Sequence, residues 1–120
     1  MRIALDAMGG DFAPQATVEG AYLYQKETKK RNELVLVGNK ELIQTHCKKF
    51  GDCEAYRISF VHAEENIGMN ESPTEALKLK KKSSILIGLG LHKNGEVDAF
   101  VSAGNTGAQM AASLLNLGRI

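Results

Sequence analysis

Two patterns of hydrophobic and polar positions alternate along the chain. Short runs of consecutive apolar residues are typical of strands buried on both faces of a parallel sheet, and longer stretches between them carry apolar residues at helical spacing. The runs predict strands at Arg2–Asp6, in the segment ELVLVG, across residues 56–63 and across residues 97–101. The chain is therefore predicted to alternate strand and helix.

The stretches between these runs predict helices with recognisable ends. Pro14 suits the first turn of the first helix, and Asn39 suits the cap of a second helix that Gly51 ends. The sequence SPTE, which begins at Ser72, is typical of a capping box with proline at the first helical position. The segment SSILIGLGLHKNG alternates like a strand but has the length and the Asn-Gly end of a helix, and we predict a helix there. A further helix is predicted across residues 106–117.

This alternation predicts an α/β fold: a Rossmann-like, mainly parallel sheet with helices on both faces. The 120 residues suffice for one domain, and we take residues 1–120 as part of a single domain. The chain stops after a helix that would be expected to feed another strand, so we expect an N-terminal fragment of a longer protein. Ligands bind such sheets beyond the carboxyl ends of the strands, which here carry DAMGGD, VGN, HAEEN and SAGNTG.

Composition and charge narrow the classes of protein. Charged residues make up 24% and hydrophobic residues 43% of the chain, the balance of a globular protein that folds in water. The net charge of +1 gives no overall field to gather nucleic acid, so any anion site must be local. No apolar run is long enough to span a bilayer and no signal peptide is evident, which predicts a cytoplasmic location. The cysteines and histidines lack metal-ligand spacing, so we expect no metal site.

The segment SAGNTG, residues 102–107, joins the last predicted strand to the last predicted helix. Unpaired N–H groups and the positive end of the helix dipole favour an anion there, and glycines let the backbone approach it closely. Ser102 and Thr106 offer hydroxyl groups, and Asn105 offers an amide. The alternative is a strand-to-helix turn in which the glycines serve the backbone alone.

The segment DAMGGDFAP places two carboxylates, Asp6 and Asp11, around a Gly-Gly turn at the end of the first strand. They are candidates for orienting a substrate, for holding a lysine or for taking a proton. Alternatively, Asp11 merely helps to cap the helix that follows Pro14. The sequence offers no second acidic cluster to complete a set of ligands, so we do not expect a Mg²⁺ site here.

The segment KLKKKSS is the densest positive charge in the chain. Such a run is commonly a solvated helix face. At the edge of an anion site, its lysines would instead steer phosphate or dock an acidic partner. The sequence leaves both interpretations open.

Four segments together resemble a known family. MRIALDAMGGDFAP, LVG, ESPTEALKLKKKSS and SAGNTGAQMAASLLNLGRI follow one another along all 120 residues as in the phosphate acyltransferase (PlsX) family of bacterial phospholipid synthesis. DAMGGD followed by SAGNTGA is far more specific than either motif alone. The family is much longer than this chain, so the resemblance covers its N-terminal portion.

The resemblance implies an enzyme that converts acyl-[acyl carrier protein] and inorganic phosphate to acyl phosphate and free carrier protein. The product would feed a membrane glycerol-3-phosphate acyltransferase. The resemblance also implies a homodimer that associates loosely with the membrane, uses no organic cofactor, and has a sheet like that of the isocitrate and isopropylmalate dehydrogenases.

The residues and the resemblance together give a hypothesis for the site. Binding of phosphate or substrate is assigned to Gly9, Gly10, Ser102, Gly104, Asn105, Thr106 and Gly107. Asp6, Asp11 and Asn105 are the candidates for catalysis, and Lys80 and Lys81 for electrostatic contact with phosphate or the acidic carrier protein. The alternatives are a phosphotransacetylase-like enzyme acting on acyl-coenzyme A, a dehydrogenase-like relative with a nicotinamide cofactor, and a non-catalytic phosphate- or nucleotide-binding module.

Overall fold

The computed structural model describes residues 1–105, 108–110 and 112. Within them, eight elements follow one another: β1 (Arg2–Asp6), α1 (Gln15–Glu27), β2 (Glu33–Gly38), α2 (Lys40–Cys47), β3 (Ile58–His62), α3 (Pro73–Leu79), α4 (Ser84–Lys93) and β4 (Ala99–Val101). The strands form one sheet of order β3-β2-β1-β4, and all of its pairings are parallel. The predicted α/β fold is confirmed, while the finer likeness to the dehydrogenases stays a prediction.

The central strand β2 shows why consecutive apolar residues form this sheet. Leu34 and Leu36 pack on one face against residues of α1 and α2, including Tyr22 and Ile43. Val35 and Val37 belong to a separate cluster on the opposite face, against which residues of α4 pack. A strand covered on both faces needs apolar side chains at successive positions, and this is the pattern in ELVLVG.

The predicted start of α2 and the predicted helix in the segment SSILIGLGLHKNG are confirmed, although α2 ends at Cys47, before the predicted end at Gly51. The Asn39 side-chain oxygen accepts a hydrogen bond from the Leu42 N–H at the start of α2. The ambiguous segment is the helix α4, and the Ser83 hydroxyl oxygen accepts from the Leu86 N–H at its start. Its Gly88 lies directly against the Phe100 ring of β4, so the glycine lets this apolar helix pack closely on the sheet.

Other predicted details were wrong. The exposed Ser72 side chain makes no capping hydrogen bond, although α3 begins at Pro73 as predicted. Pro14 is itself the N-cap of α1 and does not lie in the first turn. The strand predicted across residues 56–63 spans only Ile58–His62; its start is later than predicted because Arg57 has a φ of 56°, which is not an extended conformation. The last strand is likewise shorter than predicted.

The helix predicted across residues 106–117 is described only at residues 108–110 and 112, which are helical. Ala108 and Ala112 pack in a cluster with residues of α3 and α4, such as Leu77 and Leu89. The rest of this predicted helix lies outside the described residues. No helix within the described residues is both long enough and apolar enough to cross a membrane.

Candidate functional site

The winding of the sheet reverses between β1 and β4. From β1 the chain moves through α1 to β2 and then to β3, and it returns through α3 and α4 to β4 on the other side of β1. In an open α/β sheet, the carboxyl ends of the strands on either side of such a reversal form the usual ligand crevice. Here these ends carry DAMGGD and SAGN, so the fold brings the two predicted segments together.

A hydrogen-bonded bridge joins the two segments. Leu5 pairs with Val101 across β1 and β4, which places Asp6 and Ser102 side by side. The Ser102 hydroxyl donates to Oδ2 of Asp6 at 2.8 Å and accepts from the Gly104 N–H at 3.0 Å. The other carboxylate oxygen of Asp6 accepts from the Met8 N–H at 3.0 Å. Asp6 is buried, and both of its oxygens hold loop groups in place.

Two glycines allow the segments to touch. A Cβ atom added to Gly9 would lie 2.8 Å from the Gly104 nitrogen and 2.9 Å from Oδ2 of Asp6. A Cβ atom on Gly104 would lie 3.2 Å from the Ser102 hydroxyl oxygen and 3.3 Å from Oδ2 of Asp6, with the Cα atom of Gly9 in ordinary contact at 3.5 Å. These glycines therefore serve the contact between the two loops, whereas the sequence had suggested that they let the backbone approach a ligand.

Within the part of the chain that the structure describes, two backbone N–H groups beside this contact are unoccupied, one on the half-buried Gly10 and one on the buried Asn105. Among the described residues, the N–H groups of Gly10 and Asn105 find no hydrogen-bond acceptor, whereas the Gly104 N–H is occupied by Ser102. Gly10 has a φ of 98°, a conformation that favours glycine. Open N–H groups from two loops at one crevice are the donors that an oxyanion needs.

Asn105 has a different environment from the one predicted. Its side chain is buried, and its amide nitrogen donates to the carbonyl oxygens of Gly68 and Glu71 at 3.0 and 2.9 Å. Its side-chain oxygen accepts from the Ala108 N–H at 3.0 Å, as an N-cap does. Both amide protons are thus committed to the protein, and the side chain has no proton left to donate to a substrate.

A third loop, residues 66–71, lies beyond β3 and is joined to this crevice through Asn105. The Glu71 carboxylate accepts from the Gly68 N–H and from the Lys80 ammonium, the latter at 2.7 Å. Lys80 also donates to the Asn66 carbonyl oxygen at 2.9 Å. The hydrogen bonds from Lys80 and from the Gly68 N–H hold the pKa of Glu71 below its usual range, so the carboxylate stays ionised in mildly acidic solution.

The remaining predicted residues are more dispersed. Asp11 is exposed in the turn after β1, and α1 has no side-chain cap, so the alternative that Asp11 caps this helix was wrong. Lys81 is exposed and forms no ion pair with any described residue. Thr106 and Gly107 lie outside the described residues, and their predicted roles stay predictions.

Sequence reasoning missed Glu71, which comes from the irregular stretch ENIGMNES. No periodic pattern marks it, because its partners are a backbone N–H group and a lysine nine positions away. Among the described residues, no three His, Cys, Asp or Glu side chains are grouped so that they could hold a metal ion.

Comparison with known proteins shows which family the chain resembles in sequence. A family model described as fatty acid synthesis protein matches residues 1–120. A phosphate acyltransferase of Thermoanaerobacterium thermosaccharolyticum is 50% identical over 121 residues, which cover 100% of this chain and 34% of that protein. Phosphate acyltransferases of Caldicellulosiruptor bescii and Chlorobaculum parvum are each 46% identical, over 100% of this chain and 35% of each relative. The chain therefore spans about a third of the length of these relatives.

Proposed function

The chain belongs to the phosphate acyltransferase family of fatty acid synthesis, and we propose that it forms the phosphate-binding part of an acyl transfer site. The proposed reaction moves the acyl group of acyl-[acyl carrier protein] to inorganic phosphate, which yields acyl phosphate and free carrier protein. The observation that carries this proposal is the crevice between β1 and β4, where two glycine-bearing loops offer open N–H groups.

The proposed chemistry is complete without a redox or metal step. An oxygen of hydrogen phosphate attacks the thioester carbonyl carbon, and a tetrahedral oxyanion forms. The carbon–sulfur bond then breaks, its electron pair leaves with sulfur, and the phosphate proton ends on the thiol. Phosphate is already a competent nucleophile, so the protein needs chiefly to hold it beside the thioester and to stabilise the oxyanion.

The geometry supports distinct roles for the residues of the crevice. The N–H groups of Gly10 and Asn105 are the proposed donors to phosphate, because they have no acceptor among the described residues. Asp6 and Ser102 are proposed to fix the shape of the crevice, since the hydroxyl proton is already donated to the carboxylate. The exposed Lys81 is the better candidate for meeting the acidic carrier protein, because Lys80 is engaged by Glu71.

The proposal leaves the second half of the site to the remaining part of the protein. Acyl-chain binding, homodimer formation and loose association with the membrane, which the resemblance implies, stay predictions. So does delivery of the product to a membrane glycerol-3-phosphate acyltransferase.

Two measurements on the complete protein test the proposed function. Incubation with acyl-[acyl carrier protein] should release carrier thiol only when phosphate is present, and hydroxylamine should trap the product as a hydroxamate. In hydrogen exchange, phosphate should protect the amides of Gly10 and Asn105 while leaving those of Lys40–Cys47 unchanged.

Each negative result rejects a different part of the proposal. Turnover with acyl-coenzyme A but none with the carrier thioester would favour a phosphotransacetylase-like enzyme. Hydride transfer to a nicotinamide would indicate a dehydrogenase, and phosphate binding without turnover would indicate a binding module. Protection no greater at Gly10 and Asn105 than at the remote helix would overturn the assigned phosphate site.

A further inference from the structure

The loop of residues 66–71 is held to the crevice by a continuous chain of contacts. Lys80 joins the Asn66 carbonyl oxygen to the Glu71 carboxylate, and that carboxylate also holds the Gly68 N–H. The carbonyl oxygens of Gly68 and Glu71 then accept both protons of the Asn105 amide. Asn105 thereby holds the middle and the C-terminal end of the loop directly, while Asn66 is connected to it only through Lys80 and Glu71.

The interior of the loop adds an apolar anchor. Ile67 is buried in the cluster that contains Leu77, Ile85 and Ala108. The loop is therefore packed on α3, α4 and the start of the last helix on one side, and hydrogen-bonded to Asn105 on the other. Movement of the loop would break contacts on both sides together.

We propose that Asn105, Glu71 and Lys80 are positioning residues that form a pin, which locks the 66–71 loop to the phosphate crevice. This inference rests on the proposed function and adds to it a mechanism for holding the donor groups. The pin fixes Asn105 through its side chain, and with it the backbone N–H group that is open beside Gly104. Lys80 acts through Glu71 and does not itself meet phosphate.

The physical reason is preorganisation. A donor that is already oriented needs no further ordering when the anion binds, and small displacements of such groups cost large factors in rate. The ion pair between Lys80 and Glu71 is only half-buried, so by itself it would add little stability, since pairs near the surface are screened by water. The pair matters here because each partner also holds the loop. Glu71 accepts from the Gly68 N–H, and Lys80 donates to the Asn66 carbonyl oxygen.

The test uses the complete protein and compares variants of the ion pair. Lys80→Met and Glu71→Gln should each raise the KM for phosphate about tenfold with a smaller change in kcat, and the double variant should be no worse than either one. Lys80→Arg should largely restore the KM because arginine can keep the pair. Lys82→Met is the matched control, since it removes an exposed pair with Glu64 at 3.5 Å and should leave the KM for phosphate unchanged.

Asn105→Asp separates the pin from the helix cap. The carboxylate can still accept from the Ala108 N–H, but it has no protons for the two loop carbonyl oxygens. We expect faster hydrogen exchange of the amides in residues 66–71 in this variant and in Lys80→Met, with no change at Lys40–Cys47.

The outcomes distinguish a pin from a direct contact between Lys80 and phosphate. If Lys80 contacted phosphate directly, Glu71→Gln would free the lysine and leave the KM for phosphate unchanged or lower, which would overturn the pin. Unchanged exchange of the 66–71 amides in Lys80→Met and Asn105→Asp would also overturn it. Absence of acyl phosphate with the unmodified protein would instead reject the proposed function, while the exchange measurement would still test the pin.

Discussion

At both the amino ends of the strands (the amino edge) and their carboxyl ends (the carboxyl edge), a buried side-chain amide joins separate segments of the chain. At the amino edge, the buried amide of Gln25 donates to the carbonyl oxygens of Asn32 and Tyr56, just before β2 and β3 begin. At the carboxyl edge, the amide of Asn105 does the same for Gly68 and Glu71. In each case, one amide group binds more than one carbonyl oxygen, and Gln25 also reaches the Arg57 carbonyl oxygen at 3.4 Å.

The surroundings of the two amides differ. Gln25, in α1, lies at the edge where the Tyr22 ring packs in tilted contact with the rings of Phe50 and Tyr56, at centroid distances of 5.4 and 4.8 Å. Asn105 directly follows Gly104, whose backbone is in contact with the backbone of Gly9. The amino edge is filled by large side chains, whereas the carboxyl edge is closed by backbone contacts and leaves the N–H groups of Gly10 and Asn105 without an acceptor among the described residues. We infer that the first edge provides stability and the second provides the site.

The sharpest test of the amino edge is Tyr22→Ala. Tyr22 is fully buried, contacts two rings and donates its hydroxyl proton to the Gly51 carbonyl oxygen at 3.0 Å. We expect the free energy of unfolding to fall by about 3–5 kcal/mol, with unchanged phosphate affinity in the fraction that folds. Denaturant unfolding measures the first quantity and calorimetric titration with phosphate the second. The exposed neighbour Leu23→Ala is the control, and an equal cost for the two variants would contradict a stabilising role for this edge.

Gly9→Ala tests the carboxyl edge and should have a smaller effect on stability. The added methyl group meets the backbone nitrogen of Gly104, which cannot rotate away, so we expect a loss of about 1–3 kcal/mol together with loss of phosphate binding. Gly20→Ala in α1 is the matched control. Apart from its chain neighbours and the backbone of its own helix, no atom of the described residues lies within 4 Å of its added Cβ, and alanine there should stabilise the helix by about 0.5–1 kcal/mol. Normal phosphate binding by Gly9→Ala would show that the loop contact does not shape the site.

Gln25→Leu should have the smallest effect. The change removes the hydrogen bonds to the carbonyl oxygens of Asn32, Tyr56 and Arg57, but it also removes a buried side-chain oxygen that has no partner among the described residues, so we expect a loss of about 1–2 kcal/mol of stability. Phosphate-dependent turnover should not change, because the amino edge is remote from the crevice. A raised KM for phosphate in this variant would mean that the two edges are coupled.

Much of the fold was predictable from local patterns. The consecutive apolar residues of β1 and β2 indicated buried parallel strands, and Asn39 marked the start of α2. The limits of the strands were less predictable. A single left-handed residue such as Arg57 keeps a strand from starting earlier, and the pattern of apolar residues does not mark it. The capping hydrogen bond predicted at Ser72 does not form. Water can bind the free N–H groups of an exposed helix end, so the side chain is not required there.

The site was predictable in its location but less so in its chemistry. DAMGGD and SAGN were expected at strand ends, and the fold places both at the reversal between β1 and β4. The side chain of Asn105 was expected to face a ligand, but its protons go to carbonyl oxygens 34 and 37 positions earlier in the chain. Lys80 was expected to attract an anion, yet it holds Glu71.

The sequence by itself determined the order of strands and helices, the positions of the glycine turns and the family. These properties follow from the spacing of residues that are close along the chain, where periodicity and capping act. Only the tertiary structure decided that Asp6 bonds to Ser102, 96 positions away, and that Gly9 touches Gly104. Such contacts depend on which strands become neighbours, and the burial of both sheet faces fixes that order only when the whole chain packs.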